Sequence, residues 1–131
     1  MKKQILFIED DLSTIEVYKI ALDRANFEVV PMVLGEEAVR RVREIEKGEA
    51  KKPDLILLDL ILPDMNGIEV LEEMRKYPKT KDIPVFILTN YTNEELEKRG
   101  LLLKSEKYLL KTSYTPRELA EIVKDRLKNN T

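Results

Sequence analysis

Acidic side chains, a hydroxyl and a lysine stand directly after apolar runs of this chain, and these are the residue types that could carry chemistry. The stretch 53–67, PDLILLDLILPDMNG, places Asp59 among leucines, although a carboxylate is seldom buried without a partner. The 131 residues include no cysteine and no histidine, so thiol catalysis, zinc–thiolate sites and imidazole bases are excluded. Any chemistry therefore depends on carboxylates, hydroxyls and lysines.

The elements that must position these side chains follow from hydrophobic periodicity. Continuous or nearly continuous apolar runs predict strands at 4–8, 27–33, 54–60, 83–89 and 107–111. Apolar residues at helical spacing predict helices at 12–25, 36–47, 68–77, 92 to about 103, and 115–129. Capping boxes support three helix starts, at Ser13–Glu16, Thr92–Glu95 and Thr115–Glu118. The alternation predicts an α/β fold with a parallel sheet between two helical layers, and Pro31 places the second strand at an edge.

The candidate residues fall at one end of these strands, which is where open parallel sheets bind ligands. The first strand is followed by Glu9, Asp10 and Asp11, the third ends at Asp59, the fourth at Thr89 and Asn90, and the fifth at Lys111 and Thr112. Each residue alone has an ordinary explanation as a helix cap, a loop residue or a solvated surface group. Because all of them follow successive strands at the same edge, together they predict one site.

Charge and hydropathy limit the kinds of partner. With 23 basic and 25 acidic side chains, the net charge of -2 indicates no nucleic-acid partner. The N-terminus shows no signal peptide, and the apolar runs are too short to span a bilayer. We therefore expect a soluble, cytoplasmic protein without a membrane partner. The length predicts a single domain over 1–131, with its core at about 4–128.

Four stretches, ILFIEDD, DLILLDLILPDMNGIEVL, PVFILTN and YLLKT, resemble in order and spacing the receiver domains of two-component response regulators. The resemblance covers residue 4 to about 128. It implies a flavodoxin-like (βα)5 fold, a doubly wound five-stranded parallel sheet of order 2-1-3-4-5. Because no output domain follows residue 131, we expect a stand-alone receiver that acts on a protein partner; a receiver cut from a longer protein is the alternative.

The resemblance also implies roles at the strand ends. Asp59 matches the phosphoacceptor, and Lys111 matches the lysine that contacts the phosphoryl group. Glu9 and Asp10 match the acidic pair that holds a divalent cation, Mg²⁺ or Mn²⁺, together with Asp59 and the backbone carbonyl of Ile61. Converging carboxylates repel one another, and a cation that prefers oxygen ligands would relieve that repulsion. Asp11 is expected to start the following helix.

Signal output is implied in the same way. Thr89 matches the switch hydroxyl, and Tyr108 matches the switch aromatic. Movement of these two side chains would reshape the face formed by helix four, strand five and helix five, to which a downstream protein would bind. Since the chain has no histidine, the phosphoryl group would come from a phosphohistidine of a histidine kinase or phosphotransfer protein. Such a receiver is not a conventional enzyme, but it catalyses its own phosphorylation and dephosphorylation.

Several positions depart from the family pattern. Thr112 stands where proline is usual after the lysine, and Asn90 stands where a small residue is usual. Ile61 and Tyr91 border the expected phosphoryl position, so we expect Ile61, Asn90 and Tyr91 to narrow access and to prolong the phosphorylated state. Tyr91 has an equal alternative, which is packing on helix four.

Other functions remain open at this point. A pseudo-receiver would use the fold only to bind proteins. An aspartyl-phosphate phosphatase would normally carry a second acid two residues beyond the nucleophile, where this chain has Ile61. A flavin-binding protein would need a loop that cradles phosphate, whereas the segment IEDDLST is acidic.

Overall fold

The computed structural model describes residues 2–101 and 107–128 of the chain. The strands are β1 (Lys3–Ile8), β2 (Phe27–Met32), β3 (Leu55–Leu58), β4 (Val85–Thr89) and β5 (Lys107–Leu110). The helices are α1 (Leu12–Arg24), α2 (Gly35–Glu46), α3 (Gly67–Arg75), α4 (Asn93–Lys98) and α5 (Pro116–Lys128), and a 3-10 turn covers Lys111–Ser113.

All five strands belong to one parallel sheet in the order β2-β1-β3-β4-β5. The predicted flavodoxin-like order 2-1-3-4-5 is therefore confirmed. Pro31, which has no N–H to donate, lies on the edge strand β2 opposite Phe7 of β1, as predicted. In the centre, Leu58 pairs with Ile8 on one side and Ile87 on the other, so the carboxyl ends of three strands meet at one edge.

Both faces of the sheet are covered, because alternate residues of the central strands enter different apolar layers. In β1, Ile5 and Phe7 pack on one face with α1 and α5, and Leu6 and Ile8 pack on the other with α2, α3 and α4. All four residues of β3 are fully buried, which explains why its sequence is continuously apolar rather than alternating. Within the described residues, no helix is long and apolar enough to cross a bilayer.

One of the three predicted capping boxes was wrong. Helix α1 starts at residue 12, as predicted, so its N-cap is Asp11 and not Ser13, and the Asp11 carboxylate accepts a hydrogen bond from the Thr14 hydroxyl. The expectation that Asp11 starts this helix is thereby confirmed. The boxes at Thr92–Glu95 and Thr115–Glu118 do form, each with both reciprocal hydrogen bonds.

Helix α4 is shorter than predicted. It ends at Lys98 instead of continuing to about Leu103, a residue that lies outside the described ones. Gly100 adopts a φ of 68°, and the Leu101 N–H donates to the Leu96 carbonyl at 2.8 Å, which is a Schellman-type termination. The glycine after Arg99 is the sequence signal that would have predicted this end.

Candidate active site

Asp59 lies directly after the buried strand β3, at the edge where the central strands end. It is 7% exposed, and its backbone N–H donates to the Ile8 carbonyl at 2.9 Å, which continues the pairing of β1 with β3. One carboxylate oxygen accepts the Ile61 N–H at 3.2 Å, and the other is 3.2 Å from Nζ of Lys111. The carboxylate among leucines therefore has a cationic partner, Lys111, which lies 52 residues later in the chain, directly after β5.

Glu9 lies beside Asp59 after β1 and is 1% exposed. Its Oε1 is 2.6 Å from Nζ of Lys111, and its Oε2 accepts the backbone N–H of Asp11 at 3.2 Å. Burial raises the pKa of Glu9; the Lys111 hydrogen bond opposes that rise, and the charge of Asp59 adds to it. Two acids and one lysine thus form a compact buried cluster with an excess of negative charge.

Lys111 reaches both acids from the end of β5. Burial by itself lowers the pKa of Lys111, but the hydrogen bond to Glu9 and the charge of Asp59 outweigh burial and raise it. The ammonium group therefore stays charged. Thr112, in the usual proline position, does not prevent this contact, and the peptide bonds of the described residues are all trans.

Asp10 completes an acidic triad. One carboxylate oxygen each from Glu9, Asp10 and Asp59 lies within 4.8 Å of the others. Asp10 is exposed at the cleft surface, and desolvation together with the nearby Glu9 raises its pKa. The three acids border an open cleft of about 410 Å³, which is also lined by Ile61, Asn90 and Lys111. This arrangement offers only oxygen ligands, with room for a small ion and a phosphoryl group.

Thr89, Tyr91 and Tyr108 line a neighbouring cleft of about 270 Å³. Thr89 is buried at the end of β4, and its hydroxyl accepts the Tyr91 N–H at 3.0 Å. The Tyr91 ring faces the guanidinium of Arg99, whose carbon is 4.4 Å from the ring centroid. Tyr108 donates its hydroxyl proton to the Leu101 carbonyl at 2.8 Å. The predicted site residues therefore divide between two adjoining clefts.

The loop 59–66, hereafter the β3–α3 loop, is tightly constrained by residues that were not among the predicted site residues. Asn66 caps α3 by accepting the Ile68 N–H and forms a capping box with Glu69. The Gly67 N–H donates to the Leu60 carbonyl at 2.7 Å. A Cβ at Gly67 would lie 2.3 Å from the Asp59 carbonyl oxygen, so only glycine allows this approach. The Asn66-Gly67 pair is the sequence signal that would have predicted this tight turn before α3.

Thr14 and Tyr18 also line the acidic cleft, and no sequence pattern marked them as site residues.

Comparison with known proteins places this geometry in a family. The family model of the response regulator receiver domain matches residues 5–124 of this chain. The alkaline phosphatase synthesis transcriptional regulatory protein PhoP of Bacillus subtilis is 34% identical over 130 residues, which are 99% of this chain and 50% of that protein. The chain spans about half the length of the curated relatives it matches.

Solved structures agree with this assignment. The phosphorylated cyanobacterial phytochrome response regulator RcpA is 35% identical, with a TM-score of 0.75, 96% of this chain covered and 91% of that one. A CheY-like receiver domain protein from Methanospirillum hungatei is 27% identical, with a TM-score of 0.79 and coverage of 98% and 96%. The five-stranded order, the acidic edge and these similarities together show that the chain belongs to the response regulator receiver domain family of two-component signalling.

Proposed function

We propose that this chain is a phosphoryl-accepting switch in which Asp59 is the phosphorylated residue. The observation that carries the proposal is the convergence of Asp59, Glu9 and Lys111 from three strand ends in one open cleft. Membership of the receiver family supports the phosphoryl chemistry.

A divalent cation fits the acidic triad. Glu9, Asp10 and Asp59 together with the Ile61 carbonyl would hold Mg²⁺, or Mn²⁺, since one oxygen from each acid lies within 4.8 Å of the others. When bound, the ion supplies positive charge that stabilises the oxygens of the transferring phosphoryl group. The three acids of the triad carry more negative charge than the ammonium of Lys111 balances, so the cleft has negative charge that a cation would neutralise.

The transfer step uses the Asp59 carboxylate as the nucleophile. A carboxylate oxygen forms the new P–O bond while the P–N bond of a partner's phosphohistidine breaks, and the imidazole leaves with the electron pair and takes up a proton. Lys111, already held at 3.2 Å from Asp59, positions its charge beside the incoming phosphoryl oxygens. The phosphohistidine of the donor lies outside these 131 residues, because they include no histidine.

The cleft lined by Thr89, Tyr91 and Tyr108 transmits the effect of phosphorylation to the output face. Drawing the Thr89 hydroxyl toward a phosphoryl oxygen would release the Tyr91 N–H that it now accepts. That change would shift the loop before α4 and the position of Tyr108, and would reshape the α4–β5–α5 face. We assign the output to a protein that binds this face, and the donor to a histidine kinase or phosphotransfer protein. The charge balance of this chain favours neither nucleic acid nor membrane as its partner.

Incubation with acetyl phosphate followed by intact-mass measurement tests the proposal. With MgCl₂, a fraction of the protein should gain about 80 Da as acetate leaves, and EDTA should prevent the gain. Calorimetric titration with MgCl₂ should show binding in parallel. If neither an adduct nor Mg²⁺ binding is found, the chain is a pseudo-receiver that only binds proteins. Binding of Mg²⁺ without an adduct would instead indicate that Asn90 blocks small donors, and a histidine kinase would be the next donor tested.

The lifetime of the phosphorylated state should depend on Ile61. Its side chain is 50% exposed and lines the acidic cleft, where it would hinder an attacking water, whereas Tyr91 packs against Arg99 of the α4 end. Replacing Ile61 with alanine is expected to shorten the lifetime by a factor on the order of three to ten, measured as loss of the adduct after the donor is removed. Val17→Ala, an equally exposed apolar site on α1, is the matched control. An unchanged lifetime in Ile61→Ala would rule out this role.

A further inference from the structure

We propose that Asp64 is a positioning residue that docks the β3–α3 loop onto the N-terminus of α2 and thereby holds the Ile61 carbonyl in place for the metal. This inference rests on the proposed function, because it concerns the same cation site. Asp64 does not line the acidic cleft; its contacts are with the neighbouring helix.

The Asp64 carboxylate caps α2 from a distant part of the chain. Its Oδ1 accepts the Gly35 N–H and its Oδ2 accepts the Glu36 N–H, both at 2.9 Å. The residue in the N-cap position of α2 is Leu34, whose side chain cannot accept these hydrogen bonds. The two bonds to backbone N–H groups lower the pKa of Asp64, so the carboxylate is ionised at neutral pH.

An apolar contact reinforces this tether. Gly35 is buried, and a Cβ at that position would lie 2.3 Å from Cγ of Met65 and 3.2 Å from Cδ1 of Leu62. Both side chains belong to the core layer beneath α2. The β3–α3 loop is therefore held to α2 by a carboxylate with two hydrogen bonds and by two side chains that close over a glycine.

Inside the loop, the tether is connected to the metal ligand by a short rigid path. Leu62 donates its N–H to the Met65 carbonyl at 3.3 Å, and Ile61 pairs with Asn66 in an isolated antiparallel bridge. Ile61 is thus three residues from Asp64 within a closed turn. The Ile61 side chain is half-exposed, so its own packing does not hold the residue in place. The Ile61 carbonyl is therefore positioned by backbone contacts.

The decisive experiment is calorimetric titration of MgCl₂ into wild type and Asp64→Ala. We expect the variant to bind Mg²⁺ about tenfold more weakly, as is common when a group that orients a metal ligand is lost. Asp64→Asn retains one acceptor oxygen and should give an intermediate affinity. Amide hydrogen exchange should show faster exchange at Gly35 and Glu36 in Asp64→Ala, which tests the tether independently of metal.

Two controls separate positioning from other effects. Glu36→Gln removes one negative charge from the same region and leaves the backbone N–H that Asp64 accepts, since the Glu36 side chain faces Arg40 of its own helix. Asp54→Asn alters another aspartate that accepts a backbone N–H, that of Gln4 at the opposite edge of the sheet. Both controls should bind Mg²⁺ as wild type does.

The outcomes are distinguishable. Wild-type affinity in Asp64→Ala would overturn the inference, and so would an equal loss in Glu36→Gln, which would indicate a simple charge effect. An equal loss of Mg²⁺ affinity in Asp54→Asn would mean that the loss in Asp64→Ala reflects lower overall stability. That outcome would also overturn the inference. If wild type itself binds no Mg²⁺ and accepts no phosphoryl group, the proposed function fails and the role of Asp64 at a metal site fails with it.

Discussion

Replacing Asp59 with asparagine is expected to abolish phosphorylation by acetyl phosphate completely. The amide is neutral and a poor nucleophile, so no P–O bond forms at this position. The change is nearly isosteric, and the amide oxygen can still accept the Ile61 N–H. Glu9 remains paired with Lys111 at 2.6 Å, so the variant should fold with the wild-type circular dichroism spectrum. The measurement is intact mass after incubation with MgCl₂ and the donor.

Asp54→Asn is the matched control for this experiment, because it makes the same chemical change at the opposite edge of the sheet. That variant should gain the phosphoryl mass to the wild-type extent. A phosphoryl adduct on a folded Asp59→Asn protein would contradict the assignment, and peptide mapping would then identify the true acceptor. Loss of the adduct in both variants would point to a general effect on folding instead.

The fold was predictable because local signals and global architecture agree. Within the predicted strand 54–60, the four residues 55–58 are all apolar, which is typical of a strand covered on both faces, and Pro31 indicates an edge strand. The boundaries were less predictable, because tertiary contacts decide them. Strand β3 begins at Leu55, and Asp54 just before it bonds to Gln4 in two ways: its own N–H donates to the Gln4 carbonyl, and its side chain accepts the Gln4 N–H. Strand β4 begins two residues later than predicted, since Pro84 has no N–H and the Ile83 N–H donates to Thr80.

The candidate site was predictable only in part. Strand ends identified the acids, the hydroxyl and the lysine, because parallel strands bring their carboxyl ends to one edge. Periodicity could not predict that Lys111 bridges Glu9 and Asp59, since that depends on side-chain reach across strands. Nor could it predict that Thr89 and Tyr108 lie in a separate cleft, or that Asp64 caps a helix 29 residues earlier in the chain. These contacts depend on how loops from different βα units pack, which no local pattern encodes.

Gly67→Ala is expected to have the second largest effect, although alanine is intrinsically better in a helix than glycine. The new Cβ would lie 2.3 Å from the Asp59 carbonyl oxygen and 2.9 Å from the Leu60 Cα. Both are backbone atoms that cannot rotate away, so the start of α3 or the end of β3 must move. We expect a loss of about 1–3 kcal/mol in the free energy of unfolding, measured with urea. Displacement of Asp59 should also slow phosphorylation by a factor on the order of 100.

Gly48→Ala separates these two effects. Gly48 has a φ of 77° and only Lys79 Nζ nearby, at 4.0 Å, so alanine there costs about 1–2 kcal/mol through backbone strain and leaves the site untouched. The control should therefore lose stability and keep the wild-type phosphorylation rate. If Gly67→Ala loses stability to the same extent but is phosphorylated at the wild-type rate, the contact between Gly67 and the Asp59 backbone does not position the acceptor. If phosphorylation is slower in Gly67→Ala but not in Gly48→Ala, the close packing of α3 against the Asp59 backbone is required to position the acceptor carboxylate.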